Sequence, residues 1–314
     1  MKRAPWLLAL VIAGVGALSL GLGLPKEPTL RHFVLVELRV PRTLLGWLVG
    51  ATLSLVGATF QTAFQNPLAS ESTVGTTAGA ALGALLALVL GTSSQLLLPT
   101  VTVCAFVGAL LATALVSSVA AHSRARLEEI LLAGIAVTLA AGSISQALHA
   151  LADTPALVSS AQWSLGQLPQ IGFDNLLWAL GPCSLAAGVI LFRSRELATL
   201  ALGDDWARSV GVETRRLRLE VLLASSLGVG ASVALCGPIA FVGLLVPHLV
   251  RRAVGPPART ALLWSFLAGG TYLVACDVLA RVLVPGRELP VGVLTAALGA
   301  PALFFLVLRP QRGS

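Results

Sequence analysis

Lysine is nearly missing from this chain. Of its 21 basic residues only Lys2 and Lys26 are lysines, and neither stands in a GxxxxGK[ST] loop, so a standard phosphate-cradling nucleotide site cannot be built from it. Ionisable residues of every kind are scarce: Asp, Glu, Lys and Arg make up 11% of 314 residues, and residues 75–91 and 95–118 carry none. A soluble globular domain carries about 25%. The four histidines (His32, His122, His149, His248) are far apart. There is no HExxH, no GxSxG and no pair of carboxylates within one apolar run, which argues against a membrane-embedded hydrolase. Cys104, Cys183, Cys236 and Cys276 sit singly in apolar surroundings with no CxxC spacing. They read as small buried hydrophobes rather than metal ligands or a disulfide framework.

What fills the space is apolar: 56% of residues are hydrophobic. Runs of about 20 apolar residues match the thickness of a bilayer core, so lipid is the solvent to reason with. The chain threads as ten spans, at 5–24, 43–63, 75–91, 96–118, 130–149, 174–192, 220–236, 239–252, 262–283 and 290–308. That predicts an all-α polytopic membrane protein of one domain, 1–314. The first run is longer than the 7–15 residues usual for a signal peptide and lacks a clean small-x-small cleavage site, so it reads as an uncleaved span. With both termini in the cytoplasm, fifteen of the 21 basic residues lie inside, from Lys2, Arg3, Arg124 and Arg126 through Arg193 and Arg251 to Arg309 and Arg312. Lys26, Arg31, Arg39, Arg42, Arg281 and Arg287 fall outside, an asymmetry that sets this orientation.

Gly75, Gly79 and Gly83 follow a small-x3-small pattern, as do Gly46 and Gly50. Such faces let helix backbones approach closely in lipid. The largest charged island, Arg193 to Glu220, reads as two short helices, Ser194–Leu202 and Asp205–Ser209, with Asp204 or Asp205 capping the second. Leu197, Leu200, Leu202, Trp206 and Val210 are interleaved with its charges, which suits a surface for a cytoplasmic partner. Asp277 is the one carboxylate well inside a span, and its i, i+4 spacing to Arg281 predicts a structural ion pair. An ion-coupled secondary transporter generally keeps ionisable groups deep in its bundle, and here only Asp277 could serve. A pump built on this chain needs its ATP hydrolysed by another polypeptide.

Four segments, in order, then identify a resemblance: "RVPRTLLGWLVGATLSLVGATFQTAFQNPL" from Arg39, continued by "VGTTAGAALGA" from Val74; "LLAGIAV" from Leu131; "LGDDWARSVGVETRRLRL" from Leu202; and "GPIAFVGLLVPHLVRRAVG" from Gly237, continued by "DVLARVLVPGRELPVGVLTAALGAP" from Asp277. Together they resemble the FecCD-type permease subunits of ABC importers for iron-siderophore, haem or cobalamin. The resemblance implies the type II importer permease fold of ten helices, in the bacterial inner (plasma) membrane. It implies a pair of permease subunits (a homodimer or a sister chain), two cytoplasmic ABC ATPase subunits that carry ATP and Mg, and a periplasmic substrate-binding protein. No cofactor, metal or catalytic residue is implied on this chain.

The same resemblance assigns residues. Arg39, Arg42 and Arg281 match arginines that dock the binding protein, although cations flanking a span also snorkel. Leu202, Gly203, Asp205, Ala207, Arg208 and Gly211 match the coupling segment, at about 194–219, that receives the ATPase. Gln61, Asn66 and Pro67 match a turn or gate, and Pro238, Gly243 and Pro247 a broken helix. Pro biases Asn66 away from helical angles, and two prolines so close suit a bent eighth span. Ser70-Glu71 stands where the family usually has Asp-Pro, and Ala240, Pro257 and Ala258 stand where it usually has Gly, Asp and His.

Overall fold

The computed structural model describes residues 4–22, 25, 27–89, 97–121, 127–170, 172–254, 258–284 and 286–308. Lys2, Arg3, Lys26, His122, Arg124, Arg126, Pro257, Arg309 and Arg312 lie outside the described residues. The described chain is helical throughout, with no strand. Its helices are α1 (Ala4–Gly21), α2 (Pro28–Phe33), α3 (Val40–Ala63), α4 (Thr76–Val89), α5 (Leu97–Ala120), α6 (Leu127–Leu151) and α7 (Thr154–Ser164). They continue as α8 (Asp174–Phe192), α9 (Ser194–Leu200), α10 (Asp204–Ser209), α11 (Thr214–Cys236), α12 (Val242–Val254), α13 (Ala258–Val282) and α14 (Val291–Leu308). A π-helical turn, Val34–Arg39, runs straight into α3.

Each of the ten expected spans coincides with one helix: α1, α3, α4, α5, α6, α8, α11, α12, α13 and α14. Among the described residues, six segments are long and apolar enough to cross a bilayer by themselves: 28–63, 100–120, 127–151, 174–192, 214–236 and 259–282. The expected eighth span is a 13-residue helix, α12, preceded by a non-helical stretch at 237–241. Pro41 falls just after the π-helical turn, where the helix continues without a free N-terminus and the proline supplies no N–H to the turn before it. Pro155 falls in the first turn of α7, where its missing N–H breaks no helical bond, and the N-cap Asp153 accepts a hydrogen bond from the Ala156 N–H at 3.0 Å.

The core is built around α3, which is buried along nearly its whole length and packs on α13, α12 and α8. Close approach makes this possible. A Cβ on Gly57 would overlap the Gly243 carbonyl of α12, and one on Gly50 would come within 2.5 Å of the Gly269 oxygen of α13. The glycine face of α4 behaves as expected at Gly79 and Gly83, which lie against the backbone of α5 at Gly108 and Cys104. Gly75 departs from that expectation: it precedes α4 with φ +83° and turns the chain instead of lining the seam. At the other extreme α6 is the least buried of the long apolar helices, and its exposed surface includes Ser143, Gln146 and His149.

Candidate functional site

Two side-chain constellations close the bundle, one at each end. At the first, the exposed segment after α8 forms a compact knob. Helices α9 and α10 are separated by Ala201–Gly203, so both breaks fall slightly earlier than the sequence suggests. Leu197, Leu200 and Ala207 point into the protein, while Leu202, Asp205, Trp206, Arg208 and Val210 are exposed. Ala207 therefore positions the knob and does not present a contact. Gly203, at φ +119°, is the N-cap of α10, and no side chain caps that helix. The expected Asp cap is absent because the helix starts at Asp204, which puts both aspartates in its first turn and leaves the cap position to Gly203. Gly211, at φ +87°, closes α10 with its N–H on the Arg208 carbonyl at 3.0 Å.

The partner of Asp204 is Arg218, from the far end of the charged island. Helix α11 begins at Thr214, six residues before the expected span, and places Arg218 on the same buried face as Val221, Leu222 and Ser225. Its guanidinium forks onto both carboxylate oxygens of Asp204, with Nη1 to Oδ2 at 3.0 Å. Its Nε donates to the Ala63 carbonyl at the end of α3, 3.0 Å away. One side chain thus ties the knob, α11 and the C-terminus of α3 together. The hydrogen bonds from Arg218, aided by the charges of Arg218 and Arg208, hold the Asp204 carboxyl below its ordinary pKa despite partial burial. Gln65, at φ +48°, adds a bond from its Nε2 to the Leu200 carbonyl at 3.2 Å.

Nearby, Asn66 forms the expected turn: its Oδ1 accepts from the Leu68 N–H at 2.9 Å. Gln61 serves a different need. Pro247 lies inside α12 and supplies no N–H to the Gly243 carbonyl four residues before it, and Gln61 Nε2 donates to that carbonyl at 3.3 Å and to Leu244 O at 3.4 Å. Pro238 lies in the break before α12, where its carbonyl abuts Gly166 and Gly292. Glu71 is buried, with Oε2 against Gly243 and without a hydrogen-bond partner. Only its departure from the family pattern marked that position in the sequence.

At the opposite end Arg42 is 10% exposed and already paired. It donates to Asp277 Oδ1 from Nε at 3.0 Å and from Nη2 at 2.8 Å, and to Glu288 Oε2 from Nη1 at 2.8 Å. Asp277 also meets Arg281 at 3.2 Å, the i, i+4 pair expected from the sequence. Arg281 reaches back to Ser19 at the end of α1, and Arg39 to the Leu20 carbonyl at 2.8 Å. The three arginines are therefore brought together, but as members of an internal network. Glu288, 45% exposed, is its outermost acid and also accepts from Gln170 at 3.0 Å.

Comparison with known proteins agrees with this architecture. A model of the FecCD transport family matches residues 7–309. The hemin transport system permease protein HmuU of Yersinia pestis is 36% identical over 97% of this chain and 93% of its own length. The ferric enterobactin transport system permease protein FepD of Escherichia coli is 36% identical over 98% of this chain and 96% of its own. The cobalamin import system permease protein BtuC of Halobacterium salinarum is 36% identical over 98% and 80%, respectively. Among solved structures, a metal-chelate type ABC transporter in an inward-facing conformation superposes with a TM-score of 0.89 at 30% identity, covering 98% of this chain and 99% of its own.

Proposed function

Because this chain belongs to the FecCD transport family, a multi-pass membrane permease family of ABC importers, we propose that it moves an iron chelate, haem or cobalamin from periplasm to cytoplasm by alternating access. The observation that carries the mechanism is the knob. It exposes Leu202, Trp206 and Val210 beside Asp205 and Arg208, and it is anchored through Arg218, in a chain whose sequence has no GxxxxGK[ST] loop. Apolar side chains among charges on a rigid pair of short helices suit the cleft of a partner, here two ABC ATPase subunits that bind ATP and Mg. Helix α6 supports pairing of two permease chains. Ser143 and His149 are met within the chain, by the Leu139 carbonyl and the Ser160 hydroxyl, but the exposed amide of Gln146 is poorly served by lipid, and facing a second chain or a wet pathway removes that cost.

In this orientation the knob and both termini are cytoplasmic and the Arg42 network is periplasmic, in the inner membrane. The binding protein docks there through acidic residues, exchanging with Glu288 for the outward nitrogen of Arg42 while Asp277 keeps the inner ones. Uptake of labelled haem, ferric siderophore and cobalamin into proteoliposomes tests the whole reading. Uptake of one class is expected only with the ATPase subunits, the binding protein and ATP present; uphill uptake by this chain alone would reject it. Labelling of single cysteines at Ser314 and Arg287 from opposite sides checks the orientation.

A further inference from the structure

A half-open cavity of about 320 Å³ lies between α3, α12, α13 and the α9–α10 turn, beneath the knob and apart from its exposed surface. Three of its lining side chains carry buried polar atoms without a hydrogen-bond partner: Gln61 Oε1, Ser265 Oγ and Arg251 Nη2. Gln61 and Ser265 are buried among the helices, so whatever occupies the cavity is what can serve these atoms. The orientation of Gln61 is set by its Nε2, which is spent on the Gly243 and Leu244 carbonyls, so the acceptor Oε1 is left for the cavity. No acidic residue lines the space, and Arg251 makes no ion pair among the described residues. Buried polar atoms in native proteins are nearly always satisfied, and Arg251, itself half-buried, encloses one charged guanidinium nitrogen with no partner.

The three groups define a ligand. A guanidinium fork matches the oxygens of a phosphate, while an amide oxygen and a hydroxyl ask for a ligand that also brings O–H donors. The volume corresponds to about ten waters, enough for a headgroup. Basic pockets between membrane helices at the cytoplasmic face are where anionic lipid headgroups bind. We propose that this cavity binds a phosphate-type anion bearing its own hydroxyl donors, the chemistry shared by a phosphatidylglycerol headgroup and hydrogen phosphate. Because Ala201 and Gln65 line the same space, the bound anion bridges the base of the knob to α12 and α13.

The test compares thermal unfolding of the full chain in phosphatidylcholine nanodiscs with and without phosphatidylglycerol, and in detergent with and without millimolar inorganic phosphate. Wild type is expected to gain about 5 °C with phosphatidylglycerol, as for a ligand well above its Kd. Arg251→Gln should lose that gain. Each variant is compared with itself, so a lower baseline stability cancels. Ser265→Leu, which fills the cavity and keeps the charge, should lose it too and carries the test if Arg251→Gln does not fold. Protection by inorganic phosphate alone, absent in the variants, supports the same site with free phosphate as the source. Native mass spectrometry of wild type should show one phosphatidylglycerol retained per chain in the lipid case. Equal gains in the variants, or no retained lipid and no phosphate effect in wild type, would overturn the proposal and leave the cavity to water.

Discussion

Replacing Arg218 by Met keeps the aliphatic stem packed on α11 and deletes the guanidinium, which makes it a sharp test of how the knob is anchored. Three interactions go at once: the bond to the Ala63 carbonyl and the two bonds to Asp204. Hydrogen bonds to charged groups contribute roughly 1.5–3 kcal/mol each when buried. Arg218 is 7% exposed but Asp204 is 27% exposed, so water recovers part of the carboxylate's loss. A net destabilisation of about 2–4 kcal/mol follows, which for a chain of this size lowers the unfolding midpoint by roughly 4–8 °C. A double-mutant cycle with Asp204→Asn isolates the pair and should return a coupling of about 1–2 kcal/mol. In transport assays Arg218→Met should still bind the ATPase subunits, since Leu202 and Trp206 remain, but ATP-driven uptake should fall several-fold. A coupling energy below about 0.5 kcal/mol with an unchanged midpoint would refute the reasoning, because additive effects of that size mark independent sites.

Asp277→Asn should lower stability by about 3–5 kcal/mol, since it leaves Arg42 and Arg281 buried without their shared acid; thermal unfolding that matches wild type would argue against the network. Glu288→Gln removes only a half-exposed partner of Arg42, so stability should change by less than about 1 kcal/mol while binding-protein affinity rises, as measured by surface plasmon resonance at low salt. Leu202→Asp combined with Trp206→Asp should abolish co-purification with the ATPase subunits and leave the unfolding midpoint within about 1 °C, because both side chains are exposed. The Asp204 carboxyl titrates below its ordinary value in the folded protein, chiefly through its hydrogen bonds from Arg218. Its contribution is therefore complete above the unfolded carboxylate pKa of about 3.9 and is lost as pH falls through the lower folded value. The stability difference between wild type and Asp204→Asn should stay flat from about pH 8 to 5 and shrink only below about pH 4.

The spans were legible because lipid demands long apolar helices and punishes unsatisfied backbone, so 174–192 emerges as Asp174–Phe192 without adjustment. Helix starts were less legible wherever charges enter the first turns. Helix α11 begins at Thr214, and the charges of Arg215, Arg216, Arg218 and Glu220 masked its first two turns as loop. Its period still held the answer. Leu217, Val221 and Leu222 share one face, and a cation amid them at Arg218 announces a buried partner. The identity of that partner was not readable, because Asp204 and Asp205 are adjacent and only the backbone turn at Gly203 decides which faces inward. The Asp277–Arg281 pair was legible from local spacing, whereas Arg42 reaches Asp277 across 235 residues and Glu288 across 246, separations no helical period encodes.

Helix α3 links the two ends of the molecule. Its last residue, Ala63, is held by Arg218 beneath the knob, and its first turn is held by Arg42 to Asp277 at the other end. Between them the helix is tightly packed: Gly57 lies against α12 and Gly50 against α13 with no side chain to yield. Close-packed interfaces of this kind have few intermediate arrangements, so a displacement at one end is either refused or taken up by the helix as a body. The one soft element along this contact is the start of α12, where Pro247 removes a helical bond, Phe241 sits at φ +67° and Gln61 substitutes for the missing donor. A helix that rocks needs a neighbour able to change its end geometry at small cost, and a side-chain donor is exchanged more cheaply than a backbone ladder. That is the physical reason to look for local change at the 237–241 break itself and not at the seams where Gly57 meets Gly243 and Gly50 meets Gly269 backbone to backbone.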